Sequence, residues 1–197
     1  MITTRPYTNS IYQTSITDYY NGVLKLGDGE SYGTGNLLYD GRSLLTAAHV
    51  FDGRNYDRLK IYLYDGVNNF TTYANVNIHS RYDDYDVNDD IAIVTFEQTF
   101  DSMYQRYQLY RDNSEINKKY IAVGYGDVGT GYTGETFADE IYKLKTTNTF
   151  DADLKTLMDY ANETLPWKPI KDAILISDFD NGYSNTDIIG SLSNKPH

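Results

Sequence analysis

Ser43-Leu44-Leu45-Thr46-Ala47-Ala48-His49-Val50, read with Asp89-Asp90-Ile91-Ala92-Ile93-Val94 downstream, decides the fold. The first stretch is a short apolar strand that runs through two small residues into a histidine. The second is an aspartate at the head of an apolar strand. Taken alone, each has a plain reading. A lone histidine commonly caps a strand or is satisfied in a core, and aspartates before strands commonly close turns. Together they suggest more. Two alanines after a strand let the chain turn tightly and let a second body approach the imidazole. A partly buried carboxylate at a strand start needs a partner, and an imidazole N–H is a suitable one. The chain has three histidines, and neither His79 nor the terminal His197 has a comparable setting. Asp89 is the neighbouring alternative to Asp90.

Strand signals extend in both directions. Val23, Leu24 and Leu26 precede the hairpin-type turn Gly27-Asp28-Gly29, and Gly33-Thr34-Gly35 opens Asn36-Leu37-Leu38-Tyr39. Asp40-Gly41 is another turn before Ser43–Thr46. Strands are expected at residues 59–64 and 71–79, around Asp65-Gly66, and at residues 91–96, after an acidic loop from Asp83 to Asp89. Short strands with such regular turn signals predict a small antiparallel barrel or sandwich. Residues 97–118 read as a polar linker. A second set of strands is expected at residues 120–123, 141–147 and 173–177, with the glycine-rich 124–131 following the first. Leu154, Leu157, Met158, Ala161 and Leu165 share one face of a short amphipathic helix. The division is then an N-terminal strap (1–18), a first barrel carrying His49 and Asp90 (19–110) and a partial second barrel (111–197).

Composition narrows the function classes. The chain has 197 residues, enough for one full domain or two packed halves. Its 21 tyrosines favour pleated, half-buried positions and tilt the reading toward β structure. The four prolines, Pro6, Pro166, Pro169 and Pro196, leave the middle of the chain free for sheet ladders. A net charge of -11 without a Lys/Arg stripe argues against nucleic acid. With no cysteine, disulfides and thiolate catalysis are excluded. No apolar run approaches a membrane span, and Met1–Pro6 shows no hydrophobic leader.

These motifs resemble the trypsin-like (chymotrypsin-fold) serine proteases. The likeness rests on Gly33-Thr34-Gly35 before a strand, Thr46-Ala47-Ala48-His49, Asn88-Asp89-Asp90-Ile91-Ala92 and Gly124-Tyr125-Gly126, in that order. Asp178-Phe179-Asp180-Asn181-Gly182 is similar to a segment that precedes the nucleophile in bacterial members. The resemblance implies an all-β double antiparallel barrel of chymotrypsin type, with the active site between the halves. It also implies the roles established for this family's triad: His49 as general base and then general acid, and Asp90 as its orienter. The partner would be a protein or peptide substrate, the state monomeric, and the location secreted or extracellular by family habit.

The nucleophile departs from the pattern. The family's Gly-Asp-Ser-Gly-Gly does not occur in the sequence. Gly29-Glu30-Ser31-Tyr32-Gly33 spells a nucleophile elbow, but that elbow belongs to a strand-to-helix turn in another fold. Ser191 lacks the glycines of an oxyanion pocket. The expectation is a domain cut off before its serine, its second barrel incomplete, and inert as it stands. The alternatives are a pseudoprotease or β-barrel binding module, and last a carbohydrate-binding sandwich. No cofactor is called for. Structural calcium is the one metal to consider, at Asp178, Asp180 and Asp187 or in the loop 83–90, although the glycine offset and the missing closing glutamate do not match a calcium loop.

Overall fold

The computed structural model describes residues 2, 3, 6–86, 88–136, 142–161 and 165–178. Its strands are β1 Ile2–Thr3, β2 Val23–Gly27, β3 Tyr32–Leu37, β4 Ser43–Thr46, β5 Tyr56–Tyr64, β6 Asn69–Ile78 and β7 Ala92–Phe96. After them come β8 Lys119–Gly124, β9 Val128–Thr130, β10 Gly134–Thr136, β11 Leu144–Thr149 and β12 Ala152–Asp153. The helix α1 Leu154–Ala161 follows, and then β13 Leu175–Ile176.

Strands β2 to β7 close into a barrel in the order β2-β3-β4-β7-β6-β5. Its interior follows from the period of two in each strand. Leu24 and Leu26 of β2, Ile61 and Leu63 of β5, Ala74 and Val76 of β6, and Ala92, Val94 and Phe96 of β7 all point inward and are buried. Leu37, Leu44, Val50 and Phe51 complete that core. Each such side chain contributes about 1.5–3 kcal/mol by leaving water. Most expected strands are present with shifted ends. Strand β5 begins at Tyr56 instead of residue 59, because a bulge between Tyr56 and Leu59 admits Asp57 and Arg58 without breaking the pairing to β6.

Gly33-Thr34-Gly35 lies inside β3, not before it. A Cβ on Gly33 would stand 2.6 Å from Val50 Cγ2, and one on Gly35 2.4 Å from Leu26 Cδ2. The glycines are there because core side chains press against the backbone, not because the chain turns.

The segment read as a linker, residues 97–118, has no regular element, but it is fastened to the barrel. Phe100 and Tyr104 pack on the core. Phe100 N–H donates to Gly41 O at 2.7 Å, and Tyr107 N–H to Leu37 O at 2.8 Å. The Asn21 amide donates to Met103 O at 2.7 Å and accepts from Gln105 N–H at 2.8 Å. Aromatic anchors hold a stretch whose polar composition suggested freedom.

Beyond residue 118 the described strands form small sheets: β11-β8, β1-β9-β10 and β12-β13. Strand β1 adds in parallel to β9, so the N-terminal strap crosses to the second half. Tyr12 is buried there, and Lys145 pairs with Asp18 at 2.6 Å. Helix α1 starts where Asp153 accepts the Thr156 N–H at 2.7 Å, and it buries Leu154. The architecture is the expected all-β double barrel, with the second barrel incomplete among the described residues.

Gly124-Tyr125-Gly126 lies on the seam between the halves. Thr34 Oγ1 accepts the Tyr125 N–H at 2.9 Å and donates to Tyr125 O at 3.3 Å. A Cβ on Gly124 would stand 2.8 Å from that same Oγ1, so this close docking requires glycine. Lys143 crosses the seam as well, donating to Tyr20 O at 3.0 Å and Asp65 O at 2.6 Å. Burial pushes its pKa down to about 8.

Candidate active site

Register places the site. Thr46 of β4 pairs with Ala92 of β7, so the end of one strand and the start of the other lie side by side at one rim of the barrel. Residues just past Thr46 and just before Ala92 therefore meet. Ala48 is fully buried, and a 3-10 turn over Ala48–Phe51 sends Val50 and Phe51 inward. His49, on the opposite side of that turn, faces out with 61% of its side chain exposed. Asp52 ends the turn in the left-handed region at φ 51, its N–H donating to His49 O at 3.2 Å.

Asp90 grips this turn with both carboxylate oxygens. Oδ1 accepts the His49 backbone N–H at 2.9 Å. Oδ2 lies 2.7 Å from His49 Nδ1. An ionised carboxylate only accepts, so the proton of this bond sits on Nδ1 and the Nε2 lone pair is left free. Asp90 is the more sheltered partner, its side chain 21% exposed.

Asp89 faces elsewhere. It takes the left-handed region at φ 52, which turns successive side chains apart. Its carboxylate meets Arg81 Nη2 at 3.2 Å and lies 3.8 Å from His79 Nδ1. The two alternatives are thus separated, and Asp90 is the one that touches His49.

The loop over the site is acidic and tied down. Asp83 N–H donates to Asn88 O at 3.1 Å, and His79 N–H to Ile91 O at 2.9 Å. Tyr82 covers Gly53, and its hydroxyl donates to Asp84 Oδ1 at 3.1 Å. Burial, then the Asp84 carboxylate, pushes the Tyr82 pKa up to about 12.

Ser31 occupies the β2–β3 turn, where Asp28 Oδ1 accepts its N–H at 2.9 Å. Its Gly-x-Ser-x-Gly spelling therefore describes a hairpin turn. Ser191, Asp180, Asp187 and the run from Phe179 to Gly182 lie outside the described residues. Among the described residues no three His, Asp or Glu side chains converge as a metal-ligand set. An imidazole with a fixed tautomer and an open Nε2 can take a proton from a hydroxyl or from water.

Sequence reasoning named both members of the pair and quoted Asn88 beside them, but it gave neither Asn88 nor Asp86 a structural role. These carry the second half's segment 168–170 by side-chain hydrogen bonds. The prolines at 166 and 169 were the one local sign of a fixed, extended segment there.

Comparison with known proteins agrees with this fold. No curated protein matches the sequence. Among solved structures, the chain is similar to the scabies mite inactivated protease paralogue S-D1, with a TM-score of 0.63 at 14% identity, over 88% of this chain and 76% of that one. At that identity the likeness shows the fold alone. The family model described as Trypsin matches residues 9–165. That span contains the closed barrel, the His49–Asp90 pair and the Gly124-Tyr125-Gly126 seam, and on it the chain belongs to the trypsin family.

Proposed function

We propose that this chain carries the base half of a serine-type endopeptidase, with His49 as general base and then general acid and Asp90 as its orienter. The observation that supports this most is the two-pronged grip of Asp90 on the His49 backbone N–H and Nδ1, which leaves Nε2 open. In the reaction a serine hydroxyl loses its proton to Nε2 as its oxygen bonds to the peptide carbonyl carbon. His49 then returns that proton to the departing amine. Water repeats the sequence on the acyl-enzyme, releasing the acid and restoring the serine. Asp90 stays ionised throughout and stabilises the imidazolium. The cleft lies between the first barrel and the second half of the molecule, and the substrate is a protein or peptide.

The 197 residues contain no Gly-Asp-Ser-Gly-Gly, and we assign the nucleophile to neither Ser31 nor Ser191. The 197-residue protein should therefore hydrolyse no peptide bond and take no fluorophosphonate label. The deciding experiment reads the coding DNA past the codon for His197 and assays the full product. An in-frame Gly-Asp-Ser-Gly-Gly, with serine labelling abolished by His49→Ala, supports the endopeptidase. A stop codon without that segment sinks it.

A second reading is a pseudoprotease that keeps the fold as a binding module. The missing motif favours it. A stable partner captured equally well by wild type and His49→Ala would select it.

A further inference from the structure

His49 is 61% exposed, so little packing orients its ring. Its orientation depends on Asp90, and Asp90 sits on a loop that the second half of the molecule holds. The Asn88 side chain acts there as a piece of strand backbone. Its Nδ2 donates to Lys168 O at 2.8 Å, and its Oδ1 accepts the Ile170 N–H at 2.9 Å. Those two partners flank Pro169 and are the pair that one residue of a parallel neighbour would use. Asp86 Oδ1 adds a third bond from Lys168 N–H at 3.0 Å. Pro169 keeps Lys168 out of the helical region, and neither Pro166 nor Pro169 has an N–H. Both the Lys168 and Ile170 donors are therefore committed to the loop.

The geometry points to Asn88 as a positioning residue: its amide braces the His49–Asp90 pair against the second half of the molecule. This rests on the reading of His49 and Asp90 as base and orienter. Asn88 is joined to Asp90 through Asp89, which is fixed at φ 52 with its carbonyl accepting the Ile91 N–H at 2.7 Å. So tight a link passes a shift at Asn88 on to the carboxylate.

Two variants cut the brace from opposite sides. Asn88→Ala removes both amide bonds. Ile170→Pro removes the N–H donor while leaving the loop's sequence intact, and the native φ of -76 at Ile170 suits proline. Each is made in the 197-residue protein, with barrel amide protection as the check on folding. The readout is the hydrogen-bonded Nδ1 proton of His49, followed by NMR for its exchange with water. In Asn88→Ala, exchange at the Ile170 amide should rise about tenfold, as for the loss of one hydrogen bond. In both variants the Nδ1 proton should exchange faster and broaden. Two results overturn the proposal: a wild-type Nδ1 signal in both folded variants, or a change confined to Asn88→Ala, which would limit Asn88 to its own loop. Should one variant fail to fold, the other decides by the same signal. No catalytic turnover enters the readout, so failure of the peptidase reading and failure of the brace remain separate results.

Discussion

Gly33 is the position where core packing and site geometry meet most tightly, so Gly33→Ala tests both. An alanine Cβ there would stand 2.6 Å from Val50 Cγ2, about an ångström inside ordinary carbon–carbon contact. Val50 has little room to yield, since it is only 2% exposed and β-branched, which stiffens its χ1. The 3-10 turn Ala48–Phe51 must move instead, carrying His49 with it. Overpacking of this kind costs about 1–3 kcal/mol. Val50→Ala alone should cost about 2 kcal/mol, from two buried methyl groups lost and a small cavity. The double variant removes the clash, so its cost should fall short of the sum by about 1–2 kcal/mol. Urea unfolding of the four proteins measures that coupling. Strictly additive costs would refute the contact and, with it, the claim that Gly33 is glycine to make room beneath His49.

Thr34→Val keeps the shape of the seam but leaves the Tyr125 N–H without its 2.9 Å acceptor; urea unfolding should show a loss of about 1–3 kcal/mol, and no loss would contradict the seam contact. Asp90→Asn should move the imidazole proton. The His49 backbone N–H, a fixed donor, takes the amide oxygen, so the amide nitrogen faces Nδ1 and the ring proton shifts to Nε2. Nitrogen-15 NMR should therefore report the opposite tautomer in Asp90→Asn, the tautomer effect already known for this family's triad; an unchanged tautomer counts against the two-pronged grip. Lys143 gives a pH signature. Burial lowers its folded pKa to about 8, while the unfolded amine holds its proton to about 10.4. The unfolded state binds more protons in between, so stability should rise with pH from about 8 to about 10. The urea midpoint measures this, and the rise should shrink in Lys143→Met, leaving the smaller part due to Lys25, whose pKa burial also lowers. Above about 10 the sign reverses, because burial pushes the pKa of Tyr104 up to about 12, so the unfolded tyrosine releases its proton first.

The barrel strands were legible because each alternates inward and outward residues between turn signals. His49 and Asp90 were legible because a small-residue strand end and an apolar strand head are local patterns. Asp90 was preferred to Asp89 because it leads directly into the apolar strand; the left-handed backbone at Asp89 that turns the two carboxylates apart was not legible, since adjacent acidic residues do not encode it. Strands β1, β9 and β10 are too short to show a period, and their pairings join distant parts of the chain. Residues 97–118 read as a linker because their few aromatic anchors are scattered among polar neighbours. The Asn88 brace was invisible for a similar reason: an asparagine that stands in for backbone leaves no pattern, and its partners lie about 80 positions away.

The proposed role of His49 requires that Asp90 fix its tautomer and leave Nε2 available as a base. Nitrogen-15 NMR of the 197-residue protein, labelled in its histidines and held at a pH where His49 is neutral, tests it most directly. The expected result is a proton on Nδ1 and a bare Nε2. A proton on Nε2, or rapid averaging between the two nitrogens, would contradict it.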